Sequence, residues 1–110
     1  MDNKRLGYAG EKLAQVLLEI KGYSILETNF SCRCGEVDII AKKECNYVFC
    51  EVKTRTSDKY GEGRNAVNKE KQKHIRNCAR VYLEQSKAAY DSIEYQVIEI
   101  SIEHLKGLVF

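Results

Sequence analysis

The stretch GEVDIIAKKECNYVFCEVKTR, residues 35–55, decides the fold of this chain. It contains two apolar runs, residues 36–41 and 47–54, and a polar turn at residues 43–46 between them. Short apolar runs rich in β-branched and aromatic residues on either side of such a turn are typical of a β-hairpin. The stretch therefore predicts two adjacent antiparallel strands.

The flanking sequence predicts the other elements. Residues 3–21 carry leucines at helical spacing and end before Gly22, and residues 68–89 form a second helical segment with Asn68 as its N-cap. Residues 23–30 and 93–102 read as strands. The order α-β-β-β-α-β predicts an α/β fold with a small mixed sheet flanked by helices.

The turn also sets a register for the hairpin. A turn centred in residues 43–46 pairs residues whose numbers sum to 89, so Asp38 lies opposite Glu51 and Glu36 opposite Lys53. Side chains alternate along a strand, so these four share one face. Opposed carboxylates repel, increasingly so with burial, and a bound divalent cation removes the repulsion. The register therefore predicts a cluster of charged groups suited to a metal ion.

The alternative for these acids is a solvated sheet face balanced by a lysine. Two observations count against it. The face of the acids also carries Ile40, Phe49 and Tyr47, and the opposite face is apolar at Val37, Ile39, Val48, Cys50 and Val52. A strand pair that is apolar on both faces belongs in the interior, where acids are costly. A functional role is therefore favoured over a solvated face.

Metal chemistry accounts for buried acids at this place. Carboxylates, a backbone carbonyl and waters form the hard oxygen site that Mg²⁺ or Mn²⁺ prefers. Such an ion polarises a phosphoryl oxygen and lowers the pKa of a bound water. Lys53, two residues beyond Glu51, can orient that water or stabilise the charge of the transition state.

These residues resemble a known family. Asp38 followed by Glu51-Val52-Lys53 looks like the D…(D/E)xK signature of the PD-(D/E)xK, restriction-endonuclease-like nucleases. More narrowly, the sequence from about Gly7 to Leu83 is similar to the YraN family, bacterial proteins related to archaeal Holliday-junction resolvases. Four separated motifs carry the similarity, in order and spacing: residues 10–11, 35–40, 49–55 and 66–67.

The resemblance implies a restriction-endonuclease-like domain over residues 1–110. It implies a metal-dependent endonuclease acting on DNA, including branched or structured DNA, with Asp38, Glu51 and Glu11 as metal ligands and Lys53 as a catalytic residue. The small residues around Glu11 on the first helix fit a close approach to the sheet. The chain departs from the family in its last strand, where Tyr95-Gln96 replaces a phenylalanine-aspartate pair.

The second helix offers a DNA surface. Ile75, Ala79 and Tyr82 form its inward stripe, and Gln72 continues this stripe toward the active site as a candidate accessory residue beside Glu36. The candidate phosphate contacts are basic, four on an outer stripe of this helix and three near the hairpin: Lys69, Lys73, Arg76, Arg80, Arg33, Arg55 and Arg64. A solvated helix face explains the stripe equally well.

Composition limits the remaining classes. The chain has no apolar run of the roughly 20 residues that a membrane span needs, and no signal-peptide pattern. The five cysteines have irregular spacing, which favours reduced thiols. Together these features predict a cytoplasmic protein. The net charge of +2 does not itself indicate nucleic acid, but residues 51–76 hold eight bases against four acids.

Three functions stay open on the sequence. The first is the nuclease. The second is a nucleic-acid-binding module with a vestigial nuclease site. The third is a nuclease domain that acts only when a recruiting protein partner brings it to DNA. The resolvase relatives are dimers, so a homodimer is a further candidate assembly.

Overall fold

The computed structural model describes residues 3–56 and 68–102. Its elements are α1 (Asn3–Ile20), β1 (Ser24–Cys32), β2 (Gly35–Lys43), β3 (Asn46–Thr56), α2 (Lys69–Ser86) and β4 (Ser92–Ile102). The predicted order α-β-β-β-α-β is confirmed. The predicted N-cap is also confirmed, because Asn68 accepts a hydrogen bond from the Lys71 N–H. Arg64 and most of the predicted loop at residues 55–65 lie outside the described residues.

The four strands form one mixed sheet in the order β1-β2-β3-β4. Neighbours β1 and β2, and β2 and β3, are antiparallel, whereas β3 and β4 are parallel. A parallel pair requires a crossover, and α2 lies in the segment that connects β3 to β4. The predicted hairpin register is confirmed from Ile39↔Cys50 to Lys43↔Asn46.

Each face of the sheet is covered by one helix. On one face α1 buries Ala14 and Leu18 against a core of Ile39, Ala41, Val48, Cys50 and Ile100. On the other face α2 buries Ile75, Cys78, Ala79 and Leu83 against Val37, Ile40, Tyr47 and Phe49. Burial on both faces explains why β2 and β3 are apolar almost throughout. No helix in the described parts of the chain is long and apolar enough to cross a bilayer.

One predicted face assignment is wrong. Val37 does not share a face with Ile39, because it packs on the α2 side whereas Ile39 packs on the α1 side. The β1–β2 ladder pairs Thr28 with Ile39 and Phe30 with Val37. Between these two pairs the side chains change from the α1 face of the sheet to the α2 face. In β1 this change falls at Asn29, whose φ of 53° is left-handed. In β2 it falls at Asp38.

The thiols of Cys32, Cys34, Cys45, Cys50 and Cys78 are free. Cys32 and Cys78 bring the end of β1 against α2, with their sulfurs 3.1 Å apart in a hydrogen bond. Burial raises the pKa of the Cys50 thiol to about 12, so this side chain acts as a small apolar group within the α1-side core.

Gly10 sets the distance between α1 and β3. A Cβ on Gly10 would overlap Oγ1 of Thr54 and also press on its Cβ and Cγ2. Because Thr54 is β-branched, no rotamer clears all three atoms, and the helix would have to move away from the strand. The absence of a side chain at Gly10 thus holds the next residue, Glu11, close to the sheet.

Gly10→Ala is therefore expected to destabilise the fold by about 1–3 kcal/mol, the usual cost of overpacking a close contact. Gly7→Ala is the matched control, since nothing lies within 4 Å of the added methyl group. That control should be neutral or gain about 0.5–1 kcal/mol from the helical preference of alanine. Urea unfolding of both variants measures the difference. Equal stability of the two would contradict the close approach.

Candidate active site

The candidate site lies where β2 and β3 separate. Their ladder ends at Ile39↔Cys50, one position before the expected pair of Asp38 and Glu51. There the Val52 N–H donates a hydrogen bond of 2.7 Å to Oδ2 of Asp38. The carboxylate of Asp38 thus satisfies a backbone donor that the ladder no longer pairs, and it is fixed between the two strands.

Glu51 is the only buried charged residue in the described parts of the chain, with 6% of its surface exposed. Its Oε1 atom lies 2.6 Å from Nζ of Lys71 and 3.2 Å from Nζ of Lys53. A carboxylate removed from water needs such compensation. The predicted sharing of a face by Glu51 and Lys53 is therefore supported by direct contact.

Glu11 reaches the same place from α1. Its Oε1 atom is buried and has no hydrogen-bond partner in the described structure. Burial raises the pKa of Glu11, and the nearby charges of Asp38, Glu36 and Glu51 raise it further. A buried carboxylate oxygen without a partner is rare in native proteins and calls for a water, an ion or another ligand at this place.

Asp38 is in a similar electrostatic position. Burial raises its pKa most, the hydrogen bond from Val52 opposes that rise, and the charges of Glu51 and Glu36 add to it. Lys71 lowers the pKa of Asp38 slightly. The carboxylates thus destabilise one another when all are ionised, as the register argument predicts.

This repulsion predicts a pH dependence for the metal-free protein. A carboxyl whose pKa is raised on folding stabilises the fold while protonated, and that contribution is lost as pH rises through the folded pKa. The loss begins above the ordinary values of 3.8 for Asp38 and 4.5 for Glu11. Glu11→Gln should therefore raise the melting temperature at neutral pH and flatten its decline above about pH 4.5. Thermal unfolding in EDTA across this range measures it, with the exposed Glu19→Gln as control. A lower melting temperature for Glu11→Gln at neutral pH would contradict the repulsion.

Asp38 and Glu51 are shared by two adjoining depressions. One, of about 570 Å³, opens toward α1 and is also lined by Glu11, Lys53 and Arg55. The other, of about 470 Å³, opens toward α2 and is also lined by Glu36, Lys71 and His74. The two carboxylates are therefore accessible from both depressions. Glu11 and Lys53 line the first depression, and Glu36 and Lys71 line the second.

The donor set fits a hard divalent cation. It consists of carboxylate oxygens, and one of them, Oε1 of Glu11, is buried without a partner. As arranged, however, no group of three acids, histidines or cysteines in residues 3–56 and 68–102 is positioned to hold an ion. The amines of Lys53 and Lys71 neutralise Glu51 instead. To bind the cation, Glu51 would have to give up its ion pair with Lys71.

Lys71 is the residue of this site that the sequence interpretation missed. The accessory residue predicted on α2 was Gln72, but Gln72 is exposed and lines a separate groove with Arg76 and Tyr95. The signal for Lys71 was present, since it precedes the buried Ile75 by four residues and Cys78 by seven. Lys71 and Gln72 flank the inward stripe on opposite sides, and only the position of the sheet beneath α2 selects Lys71.

The predicted phosphate-binding residues fall into two groups. Those on the outer stripe of α2, Lys69, Lys73, Arg76 and Arg80, are all exposed. Arg33 is exposed at the turn between β1 and β2, and Arg55 lines the depression that holds Glu11. Exposed basic side chains thus border the site, an arrangement that a phosphate backbone and a solvated surface both fit.

Comparison with known proteins assigns the chain to a family. Residues 10–100 match the sequence model described as "Uncharacterised protein family UPF0102". A UPF0102 protein of Clostridium perfringens (strain SM101 / Type A) is 46% identical over 99 residues, covering 90% of this chain and 81% of the relative. A UPF0102 protein of Syntrophomonas wolfei is 39% identical over 107 residues, covering 97% and 93%. A third, from Caldicellulosiruptor bescii, is 46% identical over 107 residues, covering 94% and 87%. The chain belongs to the UPF0102 family.

Proposed function

We propose that this protein is a metal-dependent endonuclease that hydrolyses phosphodiester bonds in DNA, with Mg²⁺ or Mn²⁺ as cofactor. The observation that carries the proposal is the buried, unpartnered Oε1 of Glu11, whose pKa is raised by burial and by the nearby charges of Asp38, Glu36 and Glu51. Glu11 lines one depression together with Asp38, Glu51 and Lys53. An acidic cluster of this kind is costly to the fold and is explained by a cation that it holds during the reaction.

Each residue has a role in this proposal. Asp38, Glu51 and Glu11 would hold the cation, which when bound supplies Lewis-acid activation of the phosphoryl group and of the attacking water. Asp38 is fixed for this role by its hydrogen bond from Val52. Lys53 lies on the same side as Glu11 and can donate to a phosphoryl oxygen as negative charge develops there.

Lys71 contributes from the other depression. Its amine lies 2.6 Å from Oε1 of Glu51 and compensates the charge of this buried side chain in the metal-free protein. If a cation held Glu51 instead, the Lys71 amine would be able to contact a phosphate in the depression that it lines with Glu36 and His74. Release of a lysine thus couples metal binding to DNA binding in this proposal.

The proposal includes kinship with the restriction-endonuclease-like nucleases. The hairpin that carries Asp38, Glu51 and Lys53, the added acid from α1 and the α-β-β-β-α-β order support it. Branched or structured DNA as substrate and action as a homodimer are proposed on the same likeness. Action with a recruiting protein partner is a separate proposal, and residence in the cytoplasm is proposed from the irregularly spaced, free cysteines.

The second candidate function is a nucleic-acid-binding module with a vestigial nuclease site. The contact of 2.6 Å between Lys71 and Glu51 favours it, because an internal ion pair can replace a lost metal. It does not explain why Oε1 of Glu11 is buried with no partner in the described structure. For that reason the nuclease is the better account.

A cleavage assay on labelled duplex, single-stranded, flap and four-way-junction DNA tests the proposal. We expect product in Mg²⁺ or Mn²⁺, none in EDTA and none from Asp38→Asn, which keeps an oxygen acceptor for Val52 but loses the charge. The exposed Glu19→Gln is the matched control and should cleave normally. Metal-independent DNA binding without cleavage of any substrate would support the binding module instead.

A further inference from the structure

The face of β4 that lies on the α2 side is largely uncovered. On this face of the sheet α2 packs over β1 and β2 and leaves the edge strand β4 open. Tyr95 and Val97 of β4 keep 42% and 45% of their surface exposed. The open strip between α2 and the edge strand is therefore a surface with large exposed side chains and no covering element among those described.

Two depressions along this strip join into one groove. The first, of about 220 Å³, and the second, of about 350 Å³, share Arg76 and Tyr95. The groove runs from Gln72 past these two residues to Arg80 and Tyr90. Its first part is also lined by Ile75, which lines the depression holding Glu51 as well. The groove thus adjoins the candidate active site at Ile75.

Tyr95 offers a supported ring at the middle of the groove. Phe49 lies behind it, with ring centroids 6.0 Å apart and planes tilted by 32°. Burial raises the pKa of Tyr95, and the charges of Arg76 and Arg80 oppose that rise. Both guanidinium groups therefore interact electrostatically with the hydroxyl group of this side chain. A half-exposed tyrosine on an aromatic support provides a flat surface on which a nucleobase can stack.

The charges of the groove fit a phosphate backbone. Arg76 and Arg80 line it, with one acid, Glu84, at its far end. Guanidinium groups bind phosphates through directional, charge-assisted hydrogen bonds. A duplex would bring phosphates to the arginines but would keep its bases stacked internally, leaving the ring of Tyr95 unused. A single strand uses both features.

We infer that the groove between α2 and β4 binds single-stranded DNA, with a base stacked on Tyr95 and phosphates held by Arg76 and Arg80. This inference rests on the proposed nuclease function and deepens it. Because the groove adjoins the site of Glu51, the substrate class is DNA with a single-stranded arm beside the bond that is cut. The arm lies along α2, and the junction with duplex lies near the carboxylates.

Fluorescence anisotropy in EDTA tests the binding without cleavage. The probe is a fluorescein-labelled oligodeoxythymidylate of about 20 nucleotides, longer than the ~4–16 nucleotides that a single-strand-binding domain covers. Tyr95→Ala should weaken binding about 5- to 160-fold, the range for loss of one base–aromatic stack, and Tyr95→Phe should retain most of the affinity. Tyr8→Ala is the matched control, because Tyr8 is 65% exposed on α1 and should have no effect.

The contribution of Arg76 and Arg80 is tested by the salt dependence of DNA affinity. Changing both Arg76 and Arg80 to glutamine should lower the slope of log affinity against log salt by about 1.4 on this single strand, or about 0.7 for each lost phosphate contact. Tyr95→Leu keeps apolar contact with Phe49 while removing the ring surface, so it replaces Tyr95→Ala if the alanine variant fails to fold. Unchanged affinity of folded Tyr95→Leu overturns the inference.

The other occupant of an open edge strand is a second copy of the chain. Analytical ultracentrifugation that shows a dimer dissociated by Tyr95→Leu, together with single-strand binding indifferent to Tyr95, overturns the inference in favour of that interface. These experiments distinguish a failure of the groove inference from a failure of the proposed nuclease function. Normal cleavage of a flap by Tyr95→Leu removes the groove and keeps the nuclease. Single-strand binding that depends on Tyr95, with no cleavage in Mg²⁺, removes the nuclease and keeps the groove.

Discussion

Lys53→Ala is expected to lower the rate of DNA cleavage by about 10²–10³-fold while leaving DNA affinity nearly unchanged. The reason is that its amine lies 3.2 Å from Oε1 of Glu51 and that Lys53 lines the depression of Glu11 and Asp38, where the proposed reaction would develop negative charge. A donor aimed at that charge acts mainly in the transition state. One lysine is a small part of the basic surface, so ground-state binding should change little.

Single-turnover cleavage and anisotropy on the same DNA measure the two effects. Lys21→Ala is the matched control, because Lys21 is exposed at the far end of α1 and should alter neither. Circular dichroism of Lys53→Ala checks the fold, since Lys71 still neutralises Glu51 in that variant. Equal losses of cleavage and of affinity would show that Lys53 serves binding, contrary to the assigned role.

A divalent cation is expected to stabilise the fold by about 2.7 kcal/mol at a concentration of ~100 times its dissociation constant. Binding would offset the burial and the mutual repulsion that raise the pKa values of Glu11 and Asp38, and the unfolded chain has no such site. Asp38→Asn should abolish most of this gain. In EDTA, however, Asp38→Asn should be at least as stable as the wild type, because it removes a repelled charge.

Melting temperatures in EDTA, Mg²⁺ and Mn²⁺ give this comparison directly. The exposed Glu19→Gln should retain the full metal response and so controls for the loss of one carboxylate. Ca²⁺ provides a second comparison, since it prefers more ligands and longer bonds than Mg²⁺. A melting temperature that does not respond to millimolar Mg²⁺ or Mn²⁺ would contradict the metal site.

The hairpin shows how far local sequence predicts this structure. Its turn at residues 43–46 fixes the register, because the position and length of a hairpin turn determine which residues of the two strands are paired. The observed ladder follows that register from Ile39↔Cys50 onward. The order of elements follows from periodicity and from the end signals of the helices, such as Gly22 and Asn68.

The end of the same ladder shows where local sequence stops being sufficient. Strict alternation placed Val37 with Ile39, but the chain turns over at Asp38, opposite the left-handed Asn29 of β1. Asn29 lies in β1, which precedes residues 35–55 and pairs with β2, so the sequence of those residues alone does not reveal the change of face. At this position the Asp38 carboxylate accepts a hydrogen bond from the Val52 N–H in the gap between β2 and β3.

Part of the candidate site could be predicted from the sequence. Asp38, Glu51 and Lys53 follow from the register, and Glu11 follows from the resemblance together with the small residues around it. Lys71 does not follow, because it requires knowing that α2 lies over β1 and β2 rather than over β4. The same placement moves Gln72 away from the carboxylates and opens the groove at Tyr95.

The central claim is that Glu11, Asp38 and Glu51 together form a divalent-metal centre. The most direct measurement is a crystal structure of the wild type grown with Mn²⁺, with anomalous scattering used to locate the ion. We expect an anomalous peak within bonding distance of carboxylate oxygens of all three residues. The Lys71 amine should then be displaced from its position 2.6 Å from Oε1 of Glu51. A crystal at saturating Mn²⁺ that shows no peak between these carboxylates, with Lys71 still bound to Glu51, would contradict it.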